Sequence, residues 1–528
     1  MTKRSMYRYG LSAALLLAFA AGALVYAARR DGVVIDNYRS IDRPVRISPD
    51  YSGSVIPPNI APLNFLVQEE GSQYCAKIYS GQGPSKRVFS RSGKIIIPEK
   101  DWRALLDMNR SGELCFDVYV KTEDKQWNRY PTIRNTIARE NIDRFLVYRK
   151  MHPTHYLISG EVGLYQRNLE NYEESLILKN KQYKHGGCVN CHTFCNNRTD
   201  KTLIGIRSAV YGNCTMLIDD HVAQRIGAKF TYTSWHPSGR LASFSINKVL
   251  QVFHSARDEV REAVDVDSAI AYYLTGSRTV KTSPELSRKD RLETYPAWTP
   301  DGRYLYFCSA AKLWSGQDKN EWREHRQDIR YDLMRISYDV DSDTWGKLET
   351  VLAARQTKKT ILLPRISPDG RWLLLCMGDH GCFPAFQQES DLYMADLHAP
   401  SQTGNLVPRR LAINSPHSES WHSWGSNSRW IAFSSKRRDG VFTRPFLSYI
   451  DEAGKIHKPI LVPQQDPTFF DACVAAYNTP ELIIEPVHPT GERLARIVRG
   501  PDHITVEMPI TMATPSATIQ TAPWQERE

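Results

Sequence analysis

The chain has 528 residues, 41% of them apolar, and Lys plus Arg exceed Asp plus Glu by ten. That length, with ordinary Gly and Pro usage, suits two to four buried cores and excludes a disordered protein. The positive charge is scattered, short runs such as Lys436, Arg437 and Arg438 read as solvated loops, and no nucleic-acid-binding motif accompanies it, which argues against a DNA or RNA binder.

Lys3, Arg4 and Arg8 precede an uncharged stretch from Gly10 to Ala28, which Arg29 and Arg30 close. At about 1.5 Å per residue such a stretch spans a bilayer core of about 30 Å, so residues 1–30 are expected to form a single anchoring helix. The same pattern also reads as a secretion signal, with small residues at Ala21 and Ala23 for a peptidase. Either reading exports the body, and the expected location is the bacterial cell envelope, anchored in the inner membrane with the body in the periplasm.

Residues 31–60, Pro-rich and aperiodic, read as a linker. Over 61–148, short alternating segments such as "LNFLVQE", "KIIIP" and "LCFDVYVK" predict a small β-sandwich-like domain. Cys75 and Cys115 each fall in one of these segments, and a bridge between them or two buried free thiols both suit the pattern. Between 135 and 183, "NTIARENIDRFLVYRK" and "NLENYEESLILKNKQYK" carry apolar residues three or four apart, which predicts helices. The segment 149–228 is thus expected to be helical and to lead into a cysteine cluster.

That cluster, "HGGCVNCHTFC" at 185–195, contains Cys188, Cys191 and His192 in the pattern C-x-x-C-H. Two thiols separated by two residues can bond the two vinyl groups on one porphyrin edge, and the next residue sets an imidazole under the iron, so the pattern is that of c-type haem attachment. One covalently held haem c is therefore expected. Zinc held by Cys188, Cys191, His192 and Cys195, a redox dithiol and a plain disulfide are the competing readings; adjacent Cys191 and His192 fit one tetrahedron poorly, and no second C-x-x-C stands opposite. For the distal haem ligand Met216, His185, His221, Met377 and His380 are candidates, and Met216, 24 residues after the motif, is preferred.

From 229 to 505 the chain repeats a phrase. "SWHPSGRLASFS" at 234–245, "AWTPDGRYLYFCS" at 297–309 and "RISPDGRWLLLC" at 365–376 are copies, and "SWGSNSRWIAFSS" at 423–435 is a worn fourth. In each a tight turn with a positive-φ position precedes an apolar strand. Trp235, Trp298, Ile366 and Trp424 hold equivalent places and are expected to pack sheets together, with no ligand role. The W-x-P-D-G-R turn followed by an apolar strand resembles the TolB-type repeat, a relative of the WD-type β-propeller blade. The resemblance implies a mainly β fold, a β-propeller of about six blades used as an interaction platform, preceded by the β-sandwich-like domain and the short helical haem-binding segment. Residues 506–528 are expected to be a disordered tail.

The same repeats precede the catalytic domain of prolyl-oligopeptidase-like enzymes, but no G-x-S-x-G elbow occurs and too few residues follow the last repeat for a hydrolase domain. Phosphate-binding glycine loops are missing as well. The expected function is that of a membrane-anchored extracytoplasmic c-type cytochrome passing electrons to a protein partner docked on the propeller. The alternative is an envelope scaffold or transport-associated platform in which the haem is structural or redox-sensing; a peroxidase-like enzyme, which needs an open distal site, is the third reading.

Overall fold

A computed structural model describes residues 35–152, 162–183, 187–254, 259–315, 320–399 and 406–509. The stretch at 10–28, His185 and the tail beyond 509 lie outside the described residues. The expectation of a membrane-anchored chain is corrected here: no helix among the described residues is long and apolar enough to cross a membrane.

The chain divides into two compact units, one formed by residues up to 141 with 463–472, the other by 142–462 with the residues from 473 on. The first holds a seven-stranded and a three-stranded sheet. Its helix, Glu99–Met108, buries Trp102, Leu105 and Leu106 and carries Glu99 and Asp101 in the first turn, where they favour the positive end of the helix dipole. Cys75 and Cys115 are both buried and free. Their strands are neighbours, but the register sets Cys75 opposite Tyr119 and Cys115 opposite Tyr79, four positions apart, so no bridge can form.

The second unit is built from six four-stranded antiparallel sheets. Five follow one another along the chain, with inner strands Cys188–Cys195, Thr231–Trp235, Arg291–Trp298, Thr360–Ile366 and Glu419–Trp424. The sixth takes its inner strand, Ala476–Ile483, from near the C-terminus and its outer three, Phe145–Met151, Gly163–Asn168 and Glu174–Lys179, from before the first sheet. Each inner strand packs against the next, and the sixth packs against the first, so the sheets close into a β-propeller-like ring.

Within 135–183, expected to be helical, Phe145–Met151, Gly163–Asn168 and Glu174–Lys179 are strands, and among the described residues only Asn180–Tyr183 is helical in any form. The segment "FLVYRKM" is almost wholly buried, and a buried strand reads as a continuous apolar run whose spacing alone does not separate it from a helix. Pairing with Ala476–Ile483, more than three hundred positions away, decides the matter. The expected helical haem segment is corrected with it: Cys188–Cys195 is an inner strand paired with Arg198–Arg207.

The repeated phrase is the hairpin from the inner strand to its neighbour. Gly239, Gly302 and Gly370 sit at φ of 67°, 72° and 76°, and Ser428 takes the same place in the worn copy at 62°. Each amide closes the turn on the carbonyl three residues back, as Gly302 does on Thr299 at 2.9 Å. The three glycines differ in their surroundings. A Cβ on Gly302 would lie 2.3 Å from His236 Nε2, whereas one on Gly370 would meet nothing within 4 Å. Gly370→Ala should therefore cost only its backbone strain, about 1–2 kcal/mol. Gly302→Ala adds overpacking and should cost about 2–5 kcal/mol. Equal losses in urea denaturation would refute this account of the His236 contact.

Candidate functional site: the axis of the ring

In all six sheets the inner strand breaks register around a residue of positive φ: Cys191 at 52°, Tyr232 at 47°, Tyr295 at 55°, Leu363 at 53°, Trp421 at 46° and Thr479 at 49°; the first sheet has a second break, between Phe194 and Cys195. A non-glycine residue there costs on the order of 1–3 kcal/mol, and bulges of this kind re-aim side chains. Three of the six residues supply rings that meet one another: Tyr232 and Tyr295 at 4.4 Å between centroids, with Trp421 6.2 and 6.4 Å from them. Phe383 lies 5.2 Å from Trp421, and Tyr295 Oη donates to the Cys382 carbonyl at 2.6 Å. The six residues share no chemistry, which hides them in the sequence. The nearest thing to a common signal is the next residue along, since Pro296, Pro364 and Pro480 come directly after three of them.

The C-x-x-C-H residues belong to this set. Cys191 is the bulged residue of the first sheet, Cys188 stands half-buried at the start of the strand, and both thiols are free. Between them Asn190 Oδ1 accepts from Arg149 Nη1 at 2.5 Å and from the Cys191 amide at 3.1 Å. Both thiols act on Lys229: burial and the Arg207 charge push its ammonium down to about 7, and the two cysteines oppose that shift.

His192 follows the bulge and is buried, and burial with the nearby Arg149 charge pushes its imidazole down to about 3. The carbonyl of Thr479, the bulged residue of the sixth sheet, lies beside the ring and favours its charged form, and Nε2 has no hydrogen-bond partner. His422 is its counterpart in the fifth sheet, and the carbonyl of the preceding sheet's bulged residue, Leu363, likewise lies beside its ring. Both nitrogens of His422 have further partners, Nδ1 against Cys376 Sγ at 3.4 Å and Nε2 against the Leu374 carbonyl at 3.2 Å. The imidazole is thus a repeated joint between sheets, and the orphaned nitrogen is particular to His192.

The other expected ligands stand elsewhere. Met216 is wholly buried in a cross-strand row with Ile204 and His192, and Ile204 separates it from the imidazole. The two side chains thus stand two strands apart in a packed core. Met377 is core. His221 lies in an exposed turn, and His380 sits 3.8 Å from Glu262. Cys195 points at the 236–237 carbonyls, four residues beyond Cys191 along an extended strand, or about 13 Å at strand rise. Among the described residues no three or more His, Cys, Asp or Glu converge to hold a metal ion, which corrects the expectation of a metal-binding cluster and removes the four-ligand zinc reading.

Trp235, Trp298 and Trp424 are buried as expected of sheet-packing residues, Trp298 lying 5.8 Å from Trp345. They also border a cavity of about 570 Å³ at the C-terminal ends of the inner strands, to which all six sheets contribute. On its wall Glu481 lies 3.8 Å from Arg365, and burial pushes that carboxyl up to about 7.

No family model and no curated protein matches the sequence. Among solved structures, the chain is similar to an oligogalacturonate lyase from Vibrio parahaemolyticus, at 12% identity and TM-score 0.34 over 78% of this chain and 99% of that one. It is also similar to a luciferin-regenerating enzyme, at 9% and 0.33 over 56% and 82%. For prolyl oligopeptidase B from Galerina marginata the values are 10% and 0.33 over 66% and 41%, so the chain spans less than half of that protein.

Proposed function

We propose that the chain is a six-bladed, TolB-like β-propeller carrying one covalently attached haem c at the axial end of its first blade, and that it passes electrons to a protein docked on the ring. The observation that carries this reading is His192. A buried imidazole held neutral, with Nε2 left without a partner, could bind a haem iron through that nitrogen. Cys188 and Cys191 would form the two thioether bonds, and both are free and act on Lys229. A bound haem would supply one-electron chemistry. The chain's own residues would orient it: the Thr479 carbonyl lies beside the imidazole, Arg149 and Asn190 hold the backbone between the thiols, and the Lys229 ammonium offers a positive charge. In the second reading the ring is an interaction platform and the haem a staple or redox sensor; the closed ring, with successive sheets packed through buried apolar faces, favours a scaffold equally.

Maturation in a host able to attach haem tests the proposal. Intact mass should rise by one haem, the denatured chain should retain the haem spectrum, and Cys188→Ala with Cys191→Ala should abolish both while the far-ultraviolet dichroism is kept. A mature chain with no added mass would sink it. Reversible cycling at a defined potential favours electron transfer, whereas a haem that resists cycling favours the staple.

A further inference from the structure

We propose that a second cavity, walled by the Arg261–Leu274 strand of the second sheet and by the 326–331 and 379–389 segments of the third and fourth, binds a small ligand bearing a protonated amine or guanidinium, with Asp265 as its counter-charge. This stands apart from the haem reading and uses none of its residues. The cavity has a volume of about 640 Å³. Its charges are matched with one exception. Glu259 pairs with Arg261 at 2.8 Å and with Lys436; Glu262 meets His254 at 2.7 Å, Arg326 at 3.3 Å and His380 at 3.8 Å; Asp379 meets Lys359 at 3.1 Å. Arg330 and Glu389 stand exposed at the rim with opposite signs.

Asp265 is the exception. It is 3% exposed, its Oδ2 accepts from Asn247 at 2.7 Å, the Ser268 hydroxyl and the Asp267 amide lie close enough to favour its charged form, and its Oδ1 has no hydrogen-bond partner of normal geometry. The titratable groups that act on it or feel its charge are Asp267, itself 3.0 Å from Lys312, and Tyr232, Tyr331 and Cys382, none of them a cation. Tyr331 lines the same cavity, is fully buried, and leaves its hydroxyl without a partner. Two orphaned oxygens on one cavity, one of them a carboxylate without a cation, are what a buried ammonium satisfies, since a lone buried charge is costly and a paired, hydrogen-bonded one is not. The wall suits a cation too: Arg261 already lies 4.5 Å above the Phe386 ring, and Phe383 lies beside it. Burial pushes the free carboxyl up to about 7, so an entering cation would also draw its proton off.

Calorimetric titration of the full chain at pH 8 with putrescine, agmatine and n-butylamine, and with n-butanol as the neutral match, tests this. At least one amine should bind with Kd below about 1 mM while butanol does not bind. Asp265→Asn should weaken that amine at least tenfold and Tyr331→Phe a few fold. In the wild type, affinity should fall about tenfold per pH unit below about pH 7, which decides the matter if Asp265→Asn fails to fold. No amine binding tighter than butanol, an Asp265→Asn variant that binds like the wild type, or a pH-independent affinity would each overturn the proposal and leave Asp265 a buried structural acid.

Discussion

In chain produced without haem attachment, a variant with His192 and His422 both replaced by asparagine is expected to escape much of the acid sensitivity of the wild type between about pH 6.5 and pH 3. Both imidazoles are pushed down to about 3 by burial, whereas in the unfolded chain they protonate near 6.5. The folded pKa being the lower, unfolding takes up protons below 6.5. The stability these residues contribute at neutral pH is then lost as pH falls, by at most about 1.4 kcal/mol per unit for each. Wild-type behaviour alone does not show this, because Asp265, Glu293 and Glu481 are pushed up to about 7 and act in the opposite sense between about pH 4 and 7. The difference between variant and wild type removes that background. Denaturant midpoints compared at pH 7.5, 6, 5 and 4 should converge as pH falls, and a gap that stays constant would refute the assignment.

The second large effect is expected at the seam of the ring. Tyr477, on the strand that completes the sixth sheet, is 1% exposed and meets Tyr148 edge-to-face at 5.0 Å. Lys150 lies 5.6 Å from the same ring. Tyr477→Ala should cost about 3–5 kcal/mol, a large share of a stability of about 5–15 kcal/mol. The loss should show first as faster amide exchange over Ala476–Ile483 and Phe145–Met151, with the second to fourth sheets little changed. A double-mutant cycle with Tyr148→Ala should return about 0.5–1.5 kcal/mol of coupling. Uniform acceleration of exchange around the ring would mean that the seam is no weaker than the rest.

The four hairpins that carry the repeated phrase could be read directly, because proline, aspartate and a positive-φ glycine state a turn whatever surrounds it. The first sheet escaped notice because its hairpin turns on Asn196 and Asn197, at φ of 53° and 60°, outside the phrase. The sixth escaped because its strands come from opposite ends of the unit, and local spacing carries no information about such a partner. At the axis, Cys188, Cys191 and His192 drew notice by their spacing, whereas the apolar spacing of the residues before them suggested helices that the fold does not contain. What makes His192 unusual, a nitrogen orphaned where His422 has two partners, depends on Thr479 and on the packing of neighbouring sheets. Asp265 gave no signal either, since an aspartate in a strand with alternating polarity reads as solvent-facing, and only the long hairpin from Leu241 to Leu274 buries it.

The joint between His192 and Thr479 also sets an order of events during synthesis. The carbonyl beside the imidazole belongs to a residue roughly 290 positions downstream, which at about 5–20 residues per second leaves the ribosome roughly 15–60 s after the cysteines do. Throughout that interval the first sheet exists with an uncovered edge and a rotating ring at position 192. A modifying enzyme that must reach Cys188 and Cys191 meets an unclosed ring if it arrives early and a shut one if it arrives late.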